Sequence, residues 1–111
     1  MLTIEEVVRL CADENIEACL HKKSHPLKLK GKLDVPYGLG QVNVYAPEVE
    51  SQQDYDFTVL HEFVHARDEY ILGIVNRDDN EVENEALQTY EEAPEVLMII
   101  KQLYPNLNRR F

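Results

Sequence analysis

Between Thr3 and Leu20 the apolar side chains recur at helical spacing, with Ile4, Val7, Val8, Cys11, Ala12, Ile16 and Cys19 on one face. Thr3-Ile4-Glu5-Glu6 has the capping-box pattern, so a first helix is predicted from there to about Leu20. After a loop over 22–26 the period changes from that of a helix to that of a strand. Leu27, Leu29, Leu33 and Val35 alternate with Lys28, Lys30, Lys32 and Asp34, and Gln41-Val42-Asn43-Val44 alternates again. This predicts two or three short antiparallel strands between 27 and 47, punctuated by Gly31, Pro36-Tyr37-Gly38 and Gly40. Pro47 predicts that the last strand stops or lies at an edge. Helical spacing returns after Ser51, with Phe57, Leu60, Val64 and Ile71 as a core stripe and Gly73 as the stop. Asp78-Asp79-Asn80 marks the start of a third helix over 81–92. Pro94 opens a fourth, which carries Val96, Leu97, Ile99, Ile100 and Leu103 before Pro105 halts it.

This order predicts an α+β fold: an N-terminal helix, a small twisted antiparallel or mixed sheet of about three strands, and three further helices. The chain of 111 residues fits one domain, placed over 1–105, with 106–111 as a tail. Cys11 and Cys19 lie eight residues apart on the first predicted helix, about 12 Å along its axis and beyond disulfide reach. Both are expected to be reduced core side chains without a function.

A net charge of −10 argues against nucleic acid as the main partner. Fifteen of the 21 acidic residues lie between Glu48 and Glu95, whereas five of the 11 basic ones lie between Lys22 and Lys32. A solvated acidic surface accounts for this without invoking a partner. The longest apolar run near the end, Val96-Leu97-Met98-Ile99-Ile100, is far short of a membrane span. The first residues lack a basic segment followed by an apolar one, so a cytoplasmic location is expected, as a monomer or weak oligomer.

The strongest chemical signal lies in the second predicted helix, where His61-Glu62-Phe63-Val64-His65 reads H-E-x-x-H. Imidazoles at i and i+4 share a helical face and can ligate one zinc ion, and Glu62 beside them is a general base for water. With 4 histidines in this composition, chance produces the motif about 2% of the time, so its surroundings must add weight. A metzincin would place glycine and histidine where this chain has Asp68 and Ile71, which excludes that class. For a third ligand the third helix offers several glutamates. Glu81, Glu85, Gln88 and Glu92 share a face that reads as solvated. Glu83 aligns with Ala86, Leu87 and Tyr90, the stripe expected to turn inward, where a metal would compensate its charge.

His61-Glu62-x-x-His65 followed by Glu83-Asn84-Glu85-Ala86 resembles the gluzincin metallopeptidases, in which a glutamate from a following helix is the third zinc ligand. The length and element order resemble the minigluzincins, with the ImmA/IrrE-type regulatory proteases, which act on a repressor, close behind. The resemblance implies zinc-dependent hydrolysis of peptides or unfolded proteins, with His61, His65 and Glu83 on the metal and Glu62 as acid and base. It also implies a substrate strand pairing with an exposed edge, for which Gln41–Tyr45, with Val42, Val44 and Tyr45, is expected. Where many gluzincins carry Asp or Asn four residues after the glutamate ligand, this chain has Leu87. Asp68 is then a candidate for orienting a histidine, and Tyr90, His21 or His25 for stabilising the transition state. Arg109-Arg110-Phe111 resembles a cleavage product, and Phe111 could fold back into the cleft as an inhibitory segment. A non-catalytic zinc-binding domain is the alternative from another class.

Overall fold

The capping box at Thr3 forms as its sequence requires. The Thr3 hydroxyl accepts the Glu6 N–H at 3.2 Å, and Glu6 Oε1 accepts the Thr3 N–H at 2.9 Å, opening helix α1 (Ile4–Ala12). The computed structural model describes residues 1–35 and 39–109. Helix α1 stops at Ala12 rather than near Leu20, because Asn15 takes a left-handed conformation (φ 52°) and reverses the chain. Residues beyond it are extended as strand β1 (Glu17–His21). Cys11 therefore stands on the helix and Cys19 on the strand, both half-buried free thiols.

Strand β1 changes the sheet. It pairs in parallel with β3 (Gln41–Tyr45), Glu17 facing Gln41 and His21 facing Tyr45, while β2 (Gly31–Asp34) pairs antiparallel on the other side. The order β1-β3-β2 makes a mixed sheet with β3 in the middle. The expectation that Gln41–Tyr45 is an exposed edge is thus corrected: both of its edges are taken, and Val42 and Val44 are fully buried. Pro47 sits in the 3₁₀ turn Ala46–Glu48 that follows.

Helix α2 (Gln52–Arg67) is the centre of the molecule. Ser51 caps it by accepting the Asp54 N–H at 3.1 Å. It packs on β2 and β3 with one side and on α1 and α3 (Asp79–Glu92) with others, so its buried residues are not confined to one stripe. The helix widens into π-helical turns over Asp68–Leu72 and ends at Gly73, whose left-handed φ of 69° suits glycine. Asp78 caps α3, and Pro94 opens α4 (Pro94–Leu103), which packs against α1 and α3. Leu2, Leu10, Val44, Tyr55, Phe63, Val82, Ile100 and Leu107 are among the residues that meet in one core.

Leu107 moves the domain boundary. Residues Pro105–Leu107 form a 3₁₀ turn beside β1, and Leu107 is completely buried. Tyr55 Oη donates to the Leu107 carbonyl at 2.5 Å and Asn106 Nδ2 donates to the Ala18 carbonyl. The segment expected to be a tail from 106 onward is therefore anchored in the core through Leu107. No helix among the described residues is long and apolar enough to cross a membrane.

Candidate functional site

Helix α2 is held on several sides, and among the described residues its face carrying His61 and His65 borders a cleft. His61 and His65, a turn apart, place their rings edge to face with centroids 4.8 Å apart. They line a cleft of about 600 Å³ between α2, β2 and the start of α3, together with Glu62, Asp79 and Glu83. His65 Nε2 lies 3.6 Å from Asp79 Oδ1, and one ligand atom from each of His61, His65 and Asp79 lies within 4.8 Å of the others. Burial, then the neighbouring His65, lower the His61 pKa against the opposing pull of Glu83 and Asp79. The neutral imidazole this favours is the form that ligates a metal. Two imidazoles and a carboxylate are a donor set that fits zinc.

Glu62 faces the cleft but is only 5% exposed. Desolvation, reinforced by Asp79 and Asp34, pushes its carboxyl up to about 8. The wall above it is β2, and Gly31 is the point of closest approach. A Cβ at Gly31 would stand 2.7 Å from Glu62 Oε2, 2.9 Å from Glu62 Cγ and 3.0 Å from Thr58 Cγ2. Glycine is what lets the strand and helix α2 share this space. The pairing also fixes which backbone groups face outward. The Tyr45 N–H donates to the Lys30 carbonyl at 2.8 Å, so Lys30–Tyr45 is a hydrogen-bonded pair of the antiparallel ladder. Alternation then directs the N–H and C=O of Gly31 and Leu33 to the open edge of β2, beside the cleft.

Behind the histidines lies a buried charge network. Arg67, 5% exposed, donates to Asp68 at 3.0 Å, to Glu85 at 2.5 Å and to Glu6 at 3.3 Å. Arg77 donates to Asp68 at 3.1 Å and to Glu85 at 2.6 Å. Burial alone would raise the Glu85 carboxyl, but hydrogen bonds from Arg67 and Arg77 outweigh it and hold the group below the usual range. Each buried charge has an opposite partner, so the network joins α1, α2, α3 and the segment before α3. It fixes the start of α3, and hence Asp79 and Glu83, relative to the two histidines.

The predicted residues divide accordingly. His61, Glu62, His65 and Glu83 share the cleft, but Glu83 is on its exposed rim and not on an inward stripe. The inward positions of α3 are Val82, Glu85, Ala86 and Thr89, while Leu87 is 42% exposed. Glu85, expected to be solvated, is instead buried against the guanidinium groups of Arg67 and Arg77, and this turns the inward face of α3. Asp68 lines the cleft, yet its partners are Arg67 and Arg77, not a histidine. Tyr90 packs against the core and is not among the described residues lining the cleft.

Val42 and Val44 point toward α2 as core residues, and Tyr45 lies on the opposite face of the sheet. There Tyr45 stacks on His21 at 4.7 Å and meets the edge of His25 at 5.1 Å. His21 Nε2 contacts Asn43 Oδ1 at 2.6 Å, so neither histidine is offered to the cleft. Phe111 lies outside the described residues. Sequence reasoning missed Asp79, taken only as part of a helix-start signal, and Gly31, taken only as punctuation. Arg77 carried no sequence signal at all. No protein-family model, no curated protein and no solved structure matches this chain.

Proposed function

We propose that this protein is a zinc-dependent metallopeptidase of the gluzincin type that hydrolyses peptide bonds in extended or unfolded protein segments. The observation that carries this reading is the placement of Glu62. It is buried beside the His61–His65 pair, faces the cleft, and lies against Gly31 of the edge strand β2. His61 and His65, with a carboxylate from the start of α3, would hold the metal; that carboxylate is Glu83 if the resemblance to gluzincins extends to the ligand set. A bound zinc ion would supply Lewis-acid polarisation of the scissile carbonyl and of the attacking water.

The chain's own groups account for the rest. Glu62 takes a proton from the attacking water and delivers it to the leaving amine. A carboxyl raised toward neutrality by burial suits that exchange. An extended peptide adds to β2 through the outward N–H and C=O of Gly31 and Leu33, which brings its backbone alongside Glu62. Strand β2, in place of Gln41–Tyr45, takes the role of the substrate-binding edge.

Incubating the purified protein with an unstructured protein substrate, with zinc, with a chelator, and with zinc restored, tests the reading. Cleavage that is lost on chelation and recovered with zinc is expected. Cleavage that is indifferent to chelation, or no cleavage by the zinc-loaded protein, would contradict it.

A further inference from the structure

Asp79 is the first residue of α3, but its carboxylate is not the side-chain cap of the helix. That task belongs to Asp78, whose side chain accepts the Asn80 N–H at 2.8 Å. Nor is Asp79 neutralised by Arg77, whose ion pairs are with Asp68, Glu81 and Glu85. Among the described residues its carboxylate lies 3.6 Å from His65 Nε2. His61, His65 and Asp79 are the group whose ligand atoms converge, all within 4.8 Å of one another, and Glu83 is not a member. Donor atoms about 2.0–2.2 Å from a tetrahedral zinc stand about 3.3–3.6 Å from each other, so the trio must contract by little more than about 1 Å. Asp79 is 82% exposed and can make that movement by side-chain rotation.

We propose that Asp79 is the carboxylate which, with His61 and His65, directly ligates a divalent transition-metal ion at this site. The proposal rests on the reading that the histidine pair binds a metal, and it departs from that reading in the identity of the third ligand. Asp79 and Glu83 stand one helical turn apart on the same side of α3. Asp79 is the nearer to His65, and Glu83 remains on the rim of the cleft, where its charge still faces His61. A short aspartate at the first turn of a helix held by the Arg77 network gives a ligand on a rigid support.

Titrating zinc and cobalt(II) into the wild-type protein, Asp79→Asn and Glu83→Gln, and recording the visible absorption of the cobalt forms, tests the proposal. Circular dichroism confirms that each variant is folded, as expected for exposed side chains. Asp79→Asn is expected to weaken binding by more than about a hundredfold, beyond the range of an outer partner, and to change the cobalt spectrum. Glu83→Gln is expected to leave the spectrum intact. Wild-type affinity in Asp79→Asn, or weaker binding with an unchanged cobalt spectrum, would overturn the proposal. A wild-type protein that binds neither metal would instead sink the reading on which it rests. Hydrolysis that depends on zinc, with Asp79→Asn binding normally, would leave that reading standing and remove only Asp79.

Discussion

Gly31→Ala adds one methyl group at the closest approach between the sheet and helix α2. In the unfolded chain alanine has less conformational freedom than glycine, which by itself would stabilise the protein by about 0.4–1 kcal/mol where the backbone permits. Gly31 has no left-handed φ, so the backbone does permit it. The methyl, however, would lie 2.7 Å from Glu62 Oε2, 2.9 Å from Glu62 Cγ and 3.0 Å from Thr58 Cγ2. Comfortable carbon contacts are about 3.5–4.0 Å. Neither neighbour yields easily. Glu62 Cγ is close to its helix backbone, and Thr58 is tied by its hydroxyl to the Asp54 carbonyl at 2.7 Å. Overpacking of this kind costs about 1–3 kcal/mol, which exceeds the gain from the unfolded state. The expected net loss of about 1 kcal/mol lowers the melting midpoint by about 4–8 °C. Calorimetry reads that shift, and kinetics of the folded variant should show a lower kcat with zinc affinity near that of wild type. A midpoint raised above wild type, or unchanged kcat, would refute the steric argument.

Three further outcomes follow from other parts of the molecule. Arg67→Met leaves Asp68 and Glu85 buried with fewer partners, and denaturant unfolding should show a loss of about 3–5 kcal/mol. Two carboxylates give opposite pH trends in the zinc-free protein. The Glu85 pKa lies below its ordinary 4.5, so its contribution is present above that pH and is lost as the pH falls below it. Glu62 is pushed up from 4.5 to about 8, so the fold holds a proton that the unfolded chain releases, and stability falls as pH rises across that interval. Urea midpoints measured across pH should show the second slope in wild type and not in Glu62→Gln. Deleting residues 106–111 removes the buried Leu107 and should cost about 2–5 kcal/mol in stability, whereas deleting 110–111 spares that anchor. Activity of the shorter deletion relative to the intact chain tests whether Phe111 restrains the site, and no gain would end that idea.

Local signals were the legible ones. The capping box at Thr3, the helix starts after Ser51 and around Asp78-Asp79-Asn80, Pro94 at a helix start and Gly73 at a helix end are set by a few neighbouring residues, and each forms as expected. The first strand was not legible, because Ile16 and Cys19 continue the apolar spacing of α1 across the turn at Asn15. That one miss displaced β3 from centre to edge and carried the substrate-binding expectation with it. The cleft shows the same division. His61, Glu62 and His65 are fixed by helical spacing alone, which the sequence contains. Which acid of α3 faces them depends on Arg67 and Arg77 drawing Glu85 inward, a long-range pairing that no periodicity encodes. Asp79 was hidden for a related reason: in Asp78-Asp79-Asn80 only one of the two acids is needed as a cap, and the sequence does not say which one is spare.

The proposed chemistry turns on Glu62 exchanging a proton in a zinc-dependent hydrolysis. Its most direct test is the turnover of an unstructured protein by wild type and Glu62→Gln, each first verified to hold one zinc ion per chain. Glutamine keeps the shape of the buried side chain and removes its basicity, and general acid–base catalysis is worth about 10²–10⁴ in rate. A fall in kcat of that size with zinc content unchanged is the predicted result. Equal turnover in the two zinc-loaded proteins would contradict it.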